Sequence, residues 1–148
     1  MATYTQILYH IVYGTKHHQG TLVLDQHDKL CRYTAGILRN KNCIVYKVNG
    51  HIDHLHILTS LHPSLKLAGI VKDLKLAASG WIKTKNIFPA FEGWQDGYGA
   101  FSCSWKDKER IARYIDKQRE HHRRKTFREE YIEMLQKAGI EFDEKYIA

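Results

Sequence analysis

The 148-residue chain holds 23 Lys and Arg against 16 Asp and Glu, a net charge of +7, with 43% hydrophobic residues. That balance suits one soluble domain able to bury a core, and two prolines with ten glycines exclude a collagen-like or linker-rich chain. No apolar run approaches the ~20 residues that span a bilayer, and Met1–Tyr13 lacks the basic start of a signal peptide, so a cytoplasmic protein without a membrane partner is expected.

Leu, Ile, Val and Tyr make Tyr4 to Val12 a strand. Asp25 then caps a helix with apolar positions Leu30, Tyr33, Ile37 and Leu38, ending near Asn40. Cys43 to Val48 is a second strand, Asn49-Gly50 a turn signal, and His54 to Ser60 a third strand. Pro63 and Ser64 open a second helix, whose stripe is Leu67, Ile70, Val71, Leu74, Ala78 and Trp81. A glycine-rich loop leads to a short fourth strand at Gly99–Cys103. Ser104 caps a third helix over about 105–124, and Thr126 with Glu129 forms a capping box for a last helix over about 127–138, which Gly139 ends. The order predicts an α+β fold: a ferredoxin-like βαββαβ four-stranded antiparallel sheet with added C-terminal helices, as a single domain over 1–148.

The three cysteines, Cys31, Cys43 and Cys103, show no CxxC spacing and read as small buried hydrophobes in a reducing compartment. Charge is unevenly placed. Between Lys106 and Arg128 stand ten basic residues against four acidic ones, so most of the excess lies in one segment and favours a polyanionic partner.

Two motifs carry chemistry. His54 and His56 sit two apart in a strand, so both imidazoles face one side, about 6.6 Å apart along the chain, and can share a metal ion while Leu55 faces the core. Asp53 beside them is either a turn residue or a carboxylate that orients a ligand. Tyr114 and Gln118 are four apart in the basic helix and share its face, with Ile111 and Ile115 anchoring another sector. His121 and His122 lie one turn on, within reach of the same metal but read as members of the basic face.

A His-hydrophobic-His strand followed about sixty residues later by YIxxQ in a basic helix resembles the single-tyrosine HUH transposases of the insertion-sequence two-hundred/six-hundred-and-five family. The matching stretches are HIDHLHILTS from His51, the lysine-dotted helix Leu65–Trp81, GYGAFSCSW from Gly97, IARYIDKQREHH from Ile111 and Thr126–Tyr146. The resemblance implies that Tyr114 is the nucleophile and that His54, His56 and Gln118 bind a divalent cation, Mg²⁺ or Mn²⁺. It also implies cleavage and rejoining of single-stranded DNA at hairpin-bearing element ends through a 5′-phosphotyrosine, by a homodimer whose tyrosine helices complete each other's sites. Lys72, Lys75, Arg113, Lys117, Arg119 and Arg123 are the expected phosphate contacts, and Trp94, Tyr98 or Phe101 the candidates for stacking on a base, though each aromatic also reads as packing. Three other readings stand beside this one. They are a related non-mobile enzyme acting on chromosomal hairpin repeats, a non-catalytic single-stranded nucleic-acid-binding module, and a metal-dependent hydrolase using water.

Overall fold

A computed structural model describes residues 2–147. Four strands, β1 (Leu8–Gly14), β2 (Val45–His51), β3 (His54–Ser60) and β4 (Gly99–Cys103), form one sheet in the order β2-β3-β1-β4. All pairings are antiparallel, which is the ferredoxin-like arrangement. Helices α1 (Leu24–Asn40) and α2 (Leu67–Lys85) are the two crossovers. Alternation along the strands sends Ile11, Tyr13, Leu55 and Ile57 into the core that these helices cover with Leu30, Leu38, Ile70, Val71 and Leu74. Tyr33 and Trp81 stack at 4.5 Å between the two helices.

The opposite face is covered by α3 (Lys108–Asp116), α4 (Gln118–His121) and α5 (Phe127–Lys137). A second apolar cluster of Val12, Phe127, Tyr131, Leu135 and Ile147 seats α5 there. Two glycines admit its rings: a Cβ on Gly14 would stand 2.6 Å from Phe127, and one on Gly99 2.7 Å from Tyr131. The capping box at Thr126 and Glu129 is formed, and Gly139 follows the helix at φ +69°.

β3 and β4 have their expected bounds, whereas other elements shift for identifiable reasons. The first strand begins at Leu8, not Tyr4, because its partners end at Ser60 and Cys103, both opposite Leu8. Asn49-Gly50 is not the turn. Both residues pair within β2, the turn is Ile52-Asp53, and Gly50 is required because a Cβ there would lie 2.1 Å from the His54 carbonyl oxygen. Asp25 lies in the first turn of α1, after an uncapped Val23. Pro63 and Ser64 precede α2: the Ser64 N–H donates to His62 Nδ1 at 3.2 Å, closing a local turn before the helix begins at Leu67. Ser104 does accept from the Asp107 N–H, but it caps a 3₁₀ turn over Trp105–Asp107 that leads into α3. Cys31 and Cys43 are buried; Cys103, on the edge strand, is only partly so. Among the described residues no helix is long and apolar enough to cross a membrane.

Candidate metal and nucleophile site

The alternation that buries Leu55 and Ile57 on one side turns His54 and His56 to the other, where both are fully buried. Each imidazole has a partner behind it. His54 Nδ1 donates to the Asp53 carboxylate at 2.7 Å, so the turn residue also orients the ring, and Phe127 stacks flat on it at 4.2 Å. His56 Nδ1 meets His10 Nε2 of the neighbouring strand at 2.8 Å. Burial, with the adjacent His56 second, lowers the pKa of His10 to about 3, so that ring is neutral.

The expected third helix is broken. α3 ends at Asp116, Lys117 leaves helical geometry, and α4 begins at Gln118. The cause lies on another strand: Asn49 Nδ2 donates to the carbonyls of Ile115 at 3.3 Å and Asp116 at 3.2 Å, fixing the end of α3 against β2. Tyr114 and Gln118 therefore flank a break, and both still face the histidines. Gln118 is buried with Oε1 2.8 Å from His54 Nε2, and the Tyr114 ring lies 5.8 Å from that of His56.

At the centre is Glu130 of α5, which the sequence reading left out. Its Oε1 is 3.2 Å from His56 Nε2, 3.0 Å from His122 Nε2 and 3.4 Å from His54 Nε2. Its Oε2 accepts from Gln118 Nε2 at 2.9 Å and from the Tyr114 hydroxyl. A signal existed: Phe127, Glu130, Tyr131 and Leu135 form the buried stripe of α5, and a carboxylate within an apolar stripe needs partners. His122 also departs from expectation, since it is turned inward to Glu130 and Gln118, whereas His121 stays exposed against the Tyr114 ring.

Charge is shared tightly here. Burial would push the Glu130 carboxyl up, but hydrogen bonds from His122 and His56, and then the charges of His56 and His54, hold it well below the usual range. Burial lowers the pKa of His56, while His122, despite burial, is raised by its bond to Glu130. The Tyr114 phenol is pushed well up by burial and then by the Glu130 charge.

The donor set fits a cation. The His54 ring proton goes to Asp53, so Nε2 presents its lone pair to Gln118 Oε1 and Glu130 Oε1, two acceptors. An imidazolium or a metal ion reconciles three such atoms. His54, His122 and Glu130 bring ligand atoms within 4.8 Å of one another, and His56 reaches this group through Glu130.

A cavity of about 310 Å³ opens onto Tyr114, His122 and Glu130, with Arg110, Lys125 and Lys137 also in its lining. Arg113, Lys117, Arg119 and Arg123 are exposed, and Lys117 and Arg123 line an adjoining basic cavity of about 490 Å³. Lys72 and Lys75 lie apart on α2, where Lys75 Nζ donates to the carbonyls of Gln95 at 2.8 Å and Gly97 at 2.6 Å. Trp94 packs edge-on against Tyr13, and Phe101 lies beside His10.

Residues 3–118 match the family described as IS200-like transposases. Among solved structures, a transposase candidate from Deinococcus radiodurans R1 is 22% identical, with a TM-score of 0.62 over 80% of this chain and 95% of that one. A REP-associated tyrosine transposase bound to a REP hairpin is 15% identical, with a TM-score of 0.61 over 82% of this chain and 74% of that one. These likenesses extend to the fold. No curated protein matches the chain.

Proposed function

Because the chain belongs to the IS200-like transposase family, we propose that it cleaves and rejoins single-stranded DNA with Tyr114 as nucleophile, as one catalytic domain over 1–148. The observation that carries this reading is the Tyr114 hydroxyl bonded to Glu130, the same carboxylate that meets His54, His56 and Gln118, within a single chain and at a cavity lined by Arg110, Lys125 and Lys137.

Tyr114 Oη attacks the phosphorus of a backbone phosphodiester. The bond to the 3′ oxygen breaks, that oxygen leaves as a 3′-OH with a proton, and a 5′-phosphotyrosine remains. The 3′-OH of another end reverses the step, with the phenol regenerated, so strands are exchanged without water consuming the bond. His54, His56 and Gln118 hold the divalent cation, Mg²⁺ or Mn²⁺, which when bound withdraws charge from the scissile phosphate. Asp53 and His10 keep the two imidazoles oriented. Arg113, Lys117, Arg119 and Arg123 supply the positive field that holds the backbone. A hairpin at the substrate's end is proposed from the resemblance and from the hairpin held by the structurally similar REP-associated enzyme.

The test is incubation of the protein with Mn²⁺ and single-stranded DNA carrying hairpins from the flanks of its own reading frame. A covalent adduct on a denaturing gel, absent in Tyr114→Phe and His54→Ala, supports the reading. Cleavage without an adduct supports a hydrolase, and binding without cleavage a binding module. The hydroxyl already meets its own chain's Glu130, so we place the tyrosine in cis. Mixing Tyr114→Phe with His54→Ala should then restore nothing; restored cleavage means that subunits of a homodimer exchange the helix.

A further inference from the structure

Resting on that reading, the geometry points to Glu130 and His122 as two further ligands of the metal ion, so that the site has an anionic oxygen donor rather than neutral donors alone. Two ligands at right angles around an ion with bonds of 2.0–2.1 Å stand about 3 Å apart. The separations here fall around that value: Glu130 Oε1 to His122 Nε2 is 3.0 Å and to His56 Nε2 3.2 Å. His54 Nε2 lies 2.8 Å from Gln118 Oε1 and 3.4 Å from Glu130 Oε1, and His122 Nε2 lies 3.0 Å from Gln118 Oε1. Four ligand atoms, from His54 on β3, Gln118 on α4, His122 in the turn after it and Glu130 on α5, thus converge, with His56 Nε2 adjoining them through Glu130 Oε1. A cation among them relieves the facing of His54 Nε2 with two acceptor oxygens.

Glu130 adds something His54, His56 and Gln118 cannot. One carboxylate charge partly neutralises a divalent ion, and this anionic oxygen, joining the neutral Gln118 Oε1, favours Mg²⁺ and Mn²⁺ over softer ions. Its other oxygen accepts from Tyr114, so a single side chain links the ion to the phenol. The last helix therefore completes the metal centre. Its seat on Gly14 and Gly99 sets where that oxygen falls.

The experiment is titration of the DNA-free full-length protein with Mn²⁺ alone, following free Mn²⁺ by electron paramagnetic resonance. Parent, Glu130→Gln, Glu130→Asp, His122→Asn and His54→Ala are compared, with circular dichroism confirming the fold of each. The proposal expects Glu130→Gln to weaken Mn²⁺ binding at least ten-fold and His122→Asn at least three-fold. If Glu130→Gln does not fold, the shorter carboxylate of Glu130→Asp provides the test, with at least a three-fold loss expected. Unchanged or tighter binding in the folded Glu130 variant overturns Glu130 as a ligand, the tighter result marking it as an occupant that the ion displaces. Unchanged binding in His122→Asn overturns the role of His122. Loss of Mn²⁺ binding in His54→Ala alone would leave the histidine-based reading intact while removing this one.

Discussion

Leu55 and His56 are neighbours in the chain, equally buried, and face opposite sides of one sheet. Behind Leu55 lies an apolar core closed by α1 and α2. Behind His56 lie His10, His54, His122, Gln118, Tyr114 and Glu130, held by hydrogen bonds with charges interleaved. The first face gains stability from removing apolar area from water. The second buries ionisable groups, an arrangement that is costly unless each has a partner, and so carries chemistry more than stability.

Substitutions on the two faces should separate those roles. His56→Ala should lower DNA cleavage by at least ~10³-fold, on the scale of removing a group that acts only with its neighbours, with the protein still folded. Leu55→Ala leaves a cavity in the core and should cost about 2–5 kcal/mol in urea unfolding, while Mn²⁺ affinity of the folded protein stays as in the parent. If both variants lose stability alike and both keep cleavage, the division between the faces is wrong.

A titration sharpens the same contrast, because the side closed by α1 and α2 also holds a buried histidine. His27 Nε2 donates to the His51 carbonyl at 2.8 Å, and Nδ1 faces the Cys31 thiol. Burial, outweighing that bond, lowers its pKa to about 4. The folded state therefore keeps His27 neutral, while the unfolded chain takes up a proton below its ordinary value of about 6.5. Stability from this residue is full above that value and falls as the pH drops toward 4, by on the order of 3 kcal/mol over the interval. Urea midpoints measured from pH 7 to 4.5 should decline, and His27→Gln should decline less steeply. Parallel slopes in the two proteins contradict this account of His27.

Smaller effects are expected where the helices of the second face are fastened. Asn49→Ala removes two hydrogen bonds to the end of α3 and should cost about 1–2 kcal/mol. It should also slow cleavage roughly ten-fold through misplacement of Tyr114 and Gln118. A variant with parent cleavage rates would show that β2 does not position those residues. Thr126→Ala loses the capping box of α5 and should lower thermal stability by about 1 kcal/mol, the mildest change of the series.

The sequence revealed best what depends on local pattern. β3 with its alternating leucines and histidines, β4, the end of α1 and the cap of α5 could all be read from spacing and residue type. What it hid depends on contacts between distant segments. The break after Asp116 is made by Asn49, whose pairing within β2 also hid the real turn at Ile52-Asp53. His122 looked like one more residue of a basic run, and its inward orientation follows from that break. Glu130 stood in plain view beside a capping box, but only the folded chain shows that its stripe packs on the histidine face.

The most direct measurement is intact-peptide mass spectrometry of the protein after reaction with single-stranded DNA and Mn²⁺. Cleavage after Arg113 and Lys117 yields the peptide Tyr114-Ile115-Asp116-Lys117, in which only one tyrosine occurs. The account predicts that the nucleotide mass sits on that peptide, joined through a 5′ phosphate. A nucleotide on another tyrosine, or cut DNA with every peptide unmodified, would contradict it.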